Sequence, residues 1–119
     1  YGKVIKVYDG DTFTIAAKLP DTTGPMYRFS VRLNGIDTPE IKGKTSAERE
    51  LAKNARDALQ EMIYGKVIEL RNVMNEKYGR ILADVYLEDE HINQWLIDSN
   101  YAVPYDGGTK SRPSNWGTL

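Results

Sequence analysis

Apolar and polar residues alternate with a period of two along several short segments of the chain, each ended by Gly, Pro, Asp or Asn. This pattern is typical of strands that bury one face. The turn sequence Asp-Gly-Asp separates the first two segments, so we expect them to form a hairpin. The predicted strands are residues 3–8, 12–16, 27–33, 66–70 and 80–87.

One longer segment has the spacing of an amphipathic helix. Thr45 and Glu48 fit a capping box at its start, and Gly65 is a plausible left-handed terminator at its end. Around Trp95, apolar residues predict a second, short helix that ends near Asn100. The predicted buried stripe of the first helix consists of Ala47, Leu51, Ala55, Ala58, Leu59 and Met62.

The order of elements is three strands, a helix, two strands and a helix. Five short strands at this chain length suit a small closed barrel of the OB type, which removes most exposed strand edges. The sequence therefore predicts an α+β, mainly β fold: a five-stranded OB-fold barrel with two or three helices. We expect the domain to span residues 1–104 and to be followed by an irregular tail, residues 105–119.

Composition narrows the function classes. The chain has 119 residues without cysteine, which excludes disulfides and thiolate zinc sites. No apolar run approaches the roughly 20 residues that a membrane helix requires. The net charge of −1 means that a nucleic-acid partner would need a local positive patch. Because Tyr1 already stands in a strand-like pattern, we expect a trimmed form whose targeting segment has been removed.

Four carboxylates border the predicted turns at strand ends: Asp9, Asp11, Asp37 and Glu40. Hard cations such as calcium take oxygen ligands, so two carboxylates and a backbone carbonyl near Thr38 would form a partial, weak shell. The alternative is that the aspartates serve only the turns, where Asp is common for backbone reasons. Glu40 follows a proline in a loop, so we expect it at the barrel rim, where it could accept a proton from water.

Arg32 and Arg80 also flank turns beside these carboxylates. The planar fork of arginine matches phosphate oxygens with two parallel hydrogen bonds, which predicts a phosphate clamp. The alternative is a surface arginine paired with a glutamate. If both arginines act on a transition state, replacing either by alanine should reduce turnover and leave the fold intact.

Other side chains have weaker signals. Tyr78 and Tyr105 could stack on bases or sugars, although core or surface packing is the default for most of the eight tyrosines. His91 is expected to be solvated or to cap a helix. A local basic patch, or else an ordinary solvated helix face, is formed by Lys42, Lys44, Lys53 and Arg56.

Three motifs occur in order along the chain, in residues 7–12, 32–40 and 77–80, and are followed by Asn93 in the second predicted helix. The second motif, Arg-Leu-x-x-Ile-Asp-Thr-Pro-Glu, is the most specific. Together they resemble the staphylococcal (thermonuclease) nuclease family over about residues 3–103. The resemblance implies an OB-fold barrel and calcium-dependent hydrolysis of DNA and RNA that leaves 3′-phosphate ends.

The resemblance also implies a role for each matching residue. Asp11 and Asp37 would bind calcium beside the Thr38 carbonyl, with Asp9 in the outer shell. Arg32 and Arg80 would hold the scissile phosphate, and Glu40 would act as base for the attacking water. The residues implied to contact the rest of the substrate are Lys77, Tyr78 and Tyr105.

The chain departs from the best-known family member at three places. Residues 41–46 are shorter than its lysine-rich loop, and Tyr105 is the only stand-in for its paired tyrosines. Residues 106–119 replace its long basic C-terminal helix. We therefore expect weaker substrate binding, lower stability, or both.

Two other functions stay open from sequence: a catalytically silent binding module of the same fold, and an unrelated OB-type ligand binder. Silent modules typically lose the metal carboxylates or the arginines, all of which are present here. We expect a monomer that acts on DNA or RNA without membrane association. The family resemblance slightly favours a secreted or cell-envelope location.

Overall fold

The computed structural model describes residues 1–18, 23–76 and 79–105. The predictions for Lys77, Tyr78 and the tail beyond Tyr105 lie outside the described residues. Neither helix in the described part of the chain is long and apolar enough to cross a membrane.

The described residues form eight strands and two helices. Five strands overlap the predicted ones, although β5 extends beyond its predicted end at residue 70, and three two-residue strands were not predicted. The elements are β1 (Gly2–Asp9), β2 (Thr12–Ala17), β3 (Tyr27–Leu33), β4 (Ile36–Asp37), α1 (Ser46–Ile63), β5 (Val67–Asn75), β6 (Ile81–Leu87), β7 (Glu90–His91), α2 (Ile92–Asp98) and β8 (Val103–Pro104).

Five strands close into a barrel. The sheet runs in the order β3-β2-β1-β5-β6-β7 with antiparallel neighbours, and β3 then pairs with β6 in parallel. In that closing ladder Arg32 lies opposite Leu82 and Leu33 lies opposite Ala83. The short strands β4 and β8 pair beside the barrel. The predicted five-stranded OB-type barrel with helices is confirmed.

Period-two alternation places one side chain in two inside the barrel. Full burial of an aliphatic or aromatic side chain contributes about 1.5–3 kcal/mol relative to exposure. These positions therefore supply most of the hydrophobic free energy that favours folding. The largest fully buried side chains include Phe13, Ile15, Val31, Leu33, Ile68 and Val85 from the strands and Leu59, Ile63, Ile92 and Leu96 from the helices.

Helix α1 begins as predicted, and its buried stripe shares Ala55 and Leu59 with the predicted one. The Glu48 amide donates to Thr45 Oγ1 at 3.0 Å, and the Glu48 carboxylate accepts from the amide of Lys44 at 3.3 Å. Gly65 has φ +77 and ends the helix as expected. The buried positions are Ala52, Ala55, Leu59 and Ile63, and the predicted Ala47, Leu51, Ala58 and Met62 are only partly buried.

Asn93, buried on α2, joins three parts of the chain. Its Oδ1 accepts from the Val85 amide at 2.9 Å, and its Nδ2 donates to the carbonyls of Asn34 at 2.7 Å and Ala83 at 3.3 Å. The Asn34 amide donates to the same Ala83 carbonyl. Asn93 therefore fixes the turn between β3 and β4 against β6.

Replacing Asn93 by alanine should lower the free energy of unfolding by about 2–4 kcal/mol, because buried backbone groups lose their partners. Chemical denaturation monitored by circular dichroism measures the change. The matched control is Gln94→Ala on the exposed face of the same helix, where the side chain donates to Asp98 at 2.9 Å. Similar losses in both variants would contradict a special role for Asn93.

Candidate active site

Strand ends and loops meet around an open cavity of about 310 Å³ at one end of the barrel. Four carboxylates and three cationic side chains surround it. Seven of the ten predicted site residues lie there together. The lining residues are Tyr8, Asp9, Asp11, Thr12, Arg32, Asp37, Thr38, Glu40, Ile41, Lys42 and Arg80.

The turn between β1 and β2 presents the first two carboxylates. The Asp11 amide donates to Asp9 Oδ1 at 3.1 Å, and the Thr12 hydroxyl donates to Asp11 Oδ1 at 3.0 Å. The Leu33 amide donates to the Asp11 carbonyl at 2.9 Å, which ties the turn to β3. These aspartates do serve the turn, as the alternative reading held, but their carboxylates also line the cavity.

Gly10 lets this turn lie close to α1. A Cβ atom at Gly10 would stand 2.8 Å from the Ala55 Cβ and 3.0 Å from the Thr38 Cγ2. Real Cβ atoms do not approach other atoms so closely, so a larger residue would push the acidic turn away from Thr38. The glycine of the Asp-Gly-Asp motif and the alanine of the helix are thus required for the same contact.

Arg32 sits between two carboxylates and is only 9% exposed. Its Nη1 donates to the carbonyls of Leu33 and Ile36, both at 3.1 Å. Its Nη2 lies 3.5 Å from Asp11 Oδ2 and 3.8 Å from Asp37 Oδ1. The backbone carbonyls fix the guanidinium, and the guanidinium balances the charge of the two aspartates.

This environment changes the expectation that Arg32→Ala leaves the fold intact. Asp11 and Asp37 are both buried, and removing the partner of a buried charge is strongly destabilising. We therefore expect Arg32 to contribute to stability as well as to any reaction.

Arg80 also lines the cavity and is paired with a glutamate. Its Nε and Nη2 contact the same oxygen, Glu76 Oε2, at 2.8 and 2.7 Å. Arg80 is thus a partly exposed arginine paired with a glutamate, as the alternative interpretation held, even though it lines the cavity.

Glu40 is exposed at the cavity rim, as expected, directly after the buried Pro39. Its carbonyl accepts from the Gly43 amide at 2.9 Å. Asp37 and Thr38, by contrast, are 2% and 1% exposed. Asp37 is held in β4 opposite Val103.

Tyr105 lies beside Arg32. Its ring centroid is 5.6 Å from the Arg32 Cζ atom, which is a cation–π distance, and its amide donates to the Gly35 carbonyl at 2.8 Å. Tyr105 is not among the cavity-lining residues, and its ring lies against Arg32, the predicted phosphate clamp. Its contact with a substrate stays a prediction.

His91 was predicted to be solvated or to cap a helix, and only its position at the start of a helix is confirmed. His91 occupies the N-cap position of α2 without a side-chain capping bond. Its ring stacks on Tyr86 with a centroid distance of 4.6 Å and an interplanar angle of 7°. The stack covers part of the imidazole.

The four residues of the predicted basic patch have different surroundings. Lys42 lines the cavity, Lys44 and Lys53 are exposed, and Arg56 is paired with Asp57 at 3.2 Å. Sequence reasoning missed Tyr8 and Thr12 as cavity residues and missed Glu76. Glu76 stands four residues before Arg80 with Gly79 between them, and this spacing could have indicated the ion pair.

Crowding of carboxylates affects Asp9. Burial, together with the hydrogen bond and negative charge of Asp11, raises the pKa of Asp9 to about 7. In the absence of a cation, the cluster therefore retains a proton near neutral pH.

The residues present fit the calcium ion that the sequence resemblance implies. The donors around the cavity are carboxylate, carbonyl and hydroxyl oxygens, which suit a hard cation. The buried Thr38 Oγ1 has no hydrogen-bond partner among the described residues. No three carboxylate or histidine side chains in that part of the chain group closely enough to hold a metal by themselves. The protein would thus supply only part of the shell.

A barrel closed by a parallel β3–β6 pair, with carboxylates and arginines around one mouth, defines the class as an OB-fold domain with a charged site. The chain matches the family described as staphylococcal nuclease homologue over residues 30–115. It belongs to that family, which confirms the resemblance seen in the motifs.

Curated relatives match most of the chain. An uncharacterised protein of Bacillus anthracis is 32% identical over 105 residues, covering 86% of this chain and 46% of that protein. An uncharacterised endonuclease of Escherichia coli is 27% identical over 107 residues, covering 89% and 61%. A thermonuclease of Staphylococcus hyicus is 32% identical over 102 residues, covering 84% and 56%. The chain thus spans about half the length of these relatives.

The stability of the protein should depend on pH through Asp9. Because its pKa is raised from 3.8 to about 7, the folded state binds more protons than the unfolded state in that range. The contribution of Asp9 to the free energy of unfolding therefore falls as pH rises from about 4 to 7. One proton gives at most about 1.4 kcal/mol per pH unit, and solvent screening reduces this.

Asp9→Asn tests this directly, since an amide retains the acceptor for the Asp11 amide. In chelator, the free energy of unfolding of the variant minus that of the parent should increase from pH 4 to pH 7 and then level off. Urea unfolding at a series of pH values measures it. A difference that does not change with pH would show that Asp9 titrates normally.

Proposed function

We propose that this chain is the catalytic domain of a calcium-dependent nuclease that hydrolyses phosphodiester bonds in DNA or RNA and leaves 3′-phosphate ends. The observation that carries the proposal is the single cavity around which Asp11, Asp37, Glu40 and two arginines meet. Membership of the nuclease family and the names of its relatives support it.

The charge balance of the cavity favours a cation. Four carboxylates face three basic side chains at its lining, and the nearby Glu76 adds a further negative charge. A polyanion would be repelled from such a site unless positive charge were added, because close like charges cost several kcal/mol at an interface. Calcium would supply that charge.

Asp11, Asp37 and the Thr38 carbonyl would hold the ion, with Asp9 in the outer shell. When bound, calcium neutralises a phosphate oxygen and makes a nearby water more acidic. The small number of protein ligands implies weak binding, roughly 10⁻⁴ M or worse without substrate.

The side chains of the rim complete the reaction. Glu40 is the exposed carboxylate at the cavity, and it accepts a proton from the attacking water. Arg80, with help from Arg32, stabilises the charge that builds on the phosphate oxygens as the 5′ oxygen leaves. Lys77, Tyr78 and Tyr105 would contact the neighbouring parts of the substrate.

The first test is cleavage of end-labelled single-stranded DNA with calcium, against the same reaction with chelator. Glu40→Gln should lower the rate by about 10²–10⁴, the range for loss of a general base. The matched control is Glu61→Gln, an exposed glutamate on α1. Phosphatase treatment of the products identifies a 3′-phosphate by its change in mobility.

Calcium-dependent cleavage that collapses in Glu40→Gln alone supports the proposal. A folded protein that binds DNA but leaves it intact in calcium would instead be the silent binding module. Cleavage that is unaffected by chelator would remove calcium from the reaction.

Replacing each of the two arginines should affect the stability of the protein to a different extent. Arg32→Ala should lower the free energy of unfolding by about 3–5 kcal/mol without metal, since two buried carboxylates lose their partner. Arg80→Ala should change it by less than about 1 kcal/mol, because its ion pair is partly exposed. Both substitutions should reduce cleavage strongly.

Denaturant unfolding and initial cleavage rates measure the two effects. Arg28→Ala, an exposed arginine on the same strand as Arg32, should leave both unchanged. Equal stability of the Arg32 and Arg80 variants would contradict the charge-balancing role of Arg32.

A further inference from the structure

The ion pair between Glu76 and Arg80 lies at the cavity, which Arg80 lines. The Glu76 amide donates to the Arg80 carbonyl at 2.8 Å, and the Gly79 amide donates to the Glu76 carbonyl at 3.3 Å. Gly79 has φ +78, a conformation that glycine adopts without strain. The backbone therefore places the two side chains next to each other, and the ion pair then fixes their orientation.

The contact uses one edge of the guanidinium. Nε and Nη2 both contact Glu76 Oε2, at 2.8 and 2.7 Å. Nε–H and one N–H of Nη2 form the side edge of the planar group, whereas the second N–H of Nη2 and one N–H of Nη1 form the terminal edge, which faces away from Glu76. A phosphate can be bound by either edge through two parallel hydrogen bonds. While the ion pair is intact, the terminal edge is the one that remains for the phosphate.

Holding an arginine in one orientation has a cost and a benefit. The negative charge of Glu76 opposes the binding of a phosphate. In return, the restrained guanidinium does not have to lose its side-chain freedom when the transition state forms. Partial exposure makes the pair weak as a source of stability: the side chains of Arg80 and Glu76 are 39% and 27% exposed. A stabilising role for the fold does not account for it.

We propose that Glu76 is a positioning residue that holds Arg80 with its terminal edge directed to the substrate phosphate. This inference rests on the proposed nuclease function. Glu76 does not touch the reacting atoms; it acts through Arg80. It raises turnover and slightly weakens substrate binding.

The proposal predicts a split between kcat and KM. Glu76→Ala should lower kcat about tenfold, because Arg80 loses its fixed orientation, while KM stays the same or falls, because a negative charge is removed. Glu76→Gln retains an oxygen that accepts from Nε and Nη2, so kcat should return to within about threefold of the parent. A purely structural role would not produce this pattern of loss and rescue.

Steady-state cleavage of a short single-stranded DNA in calcium measures kcat and KM for each variant, and thermal unfolding checks that each is folded. Glu69→Ala is the matched control, since Glu69 pairs with Arg71 at 3.0 Å on β5 and its side chain is partly exposed, like that of Glu76. The double variant Glu76→Ala with Arg80→Ala should be no slower than Arg80→Ala alone, because Glu76 acts only through Arg80.

The outcomes separate the two claims. A parent protein that does not cleave refutes the proposed function. A parent that cleaves, with Glu76→Ala at unchanged or raised kcat, overturns the positioning role alone. A double variant slower than Arg80→Ala also overturns it, since Glu76 would then act independently of Arg80.

Discussion

Two aspartates buried at one end of a small barrel need a positive charge beside them, and Arg32 supplies it. Isolated buried carboxylates are costly unless they are paired and hydrogen-bonded. The Arg32 guanidinium meets both Asp11 and Asp37 and is itself held by two backbone carbonyls of the β3–β4 segment. The acidic turn, β3 and β4 are thereby joined through one side chain.

The segments around Arg32 pack closely against one another and hold the site in place. Gly10 lets the acidic turn pack against Ala55 and Thr38. Helix α1, whose buried residues include small ones, therefore supports the site. Asn93 holds the Asn34 carbonyl from the opposite side. The carbonyls that orient Arg32 therefore belong to a segment fixed by buried hydrogen bonds, which preorganises the guanidinium before any substrate arrives.

Sequence reasoning identified the strands, the first helix cap and the cavity carboxylates because each depends on local signals. Alternation, capping residues and turn glycines act over a few positions. The buried face of α1 was predicted only in part, because it depends on where the helix rests on Gly10 and the barrel, which is a tertiary contact. Strand β5 continues past the predicted residue 70 because its pairing with β6 resumes after an irregularity between Arg71 and Met74, where Asn72 has φ +53.

The difference between local signals and tertiary contacts also explains which features of the site could be predicted. The motif residues come together because the strands that carry them meet at one mouth of the barrel, which strand order made predictable. The state of each side chain was not predictable. The pairing of Arg80 with Glu76 needs the geometry of the turn, and the stack of His91 on Tyr86 needs the register of β6 with β7.

The negative charge of the cavity can be balanced in three ways, and they compete. Arg32 neutralises part of it, a proton on Asp9 neutralises another part near neutral pH, and a divalent cation would neutralise more than either. A cation that binds Asp11 and Asp37 weakens the hold of these carboxylates on the Arg32 Nη2, and it favours loss of the Asp9 proton because like charge is offset. In the proposed nuclease, cation binding, proton release and the freedom of Arg32 to meet a phosphate would therefore be linked by the electrostatics of one cluster.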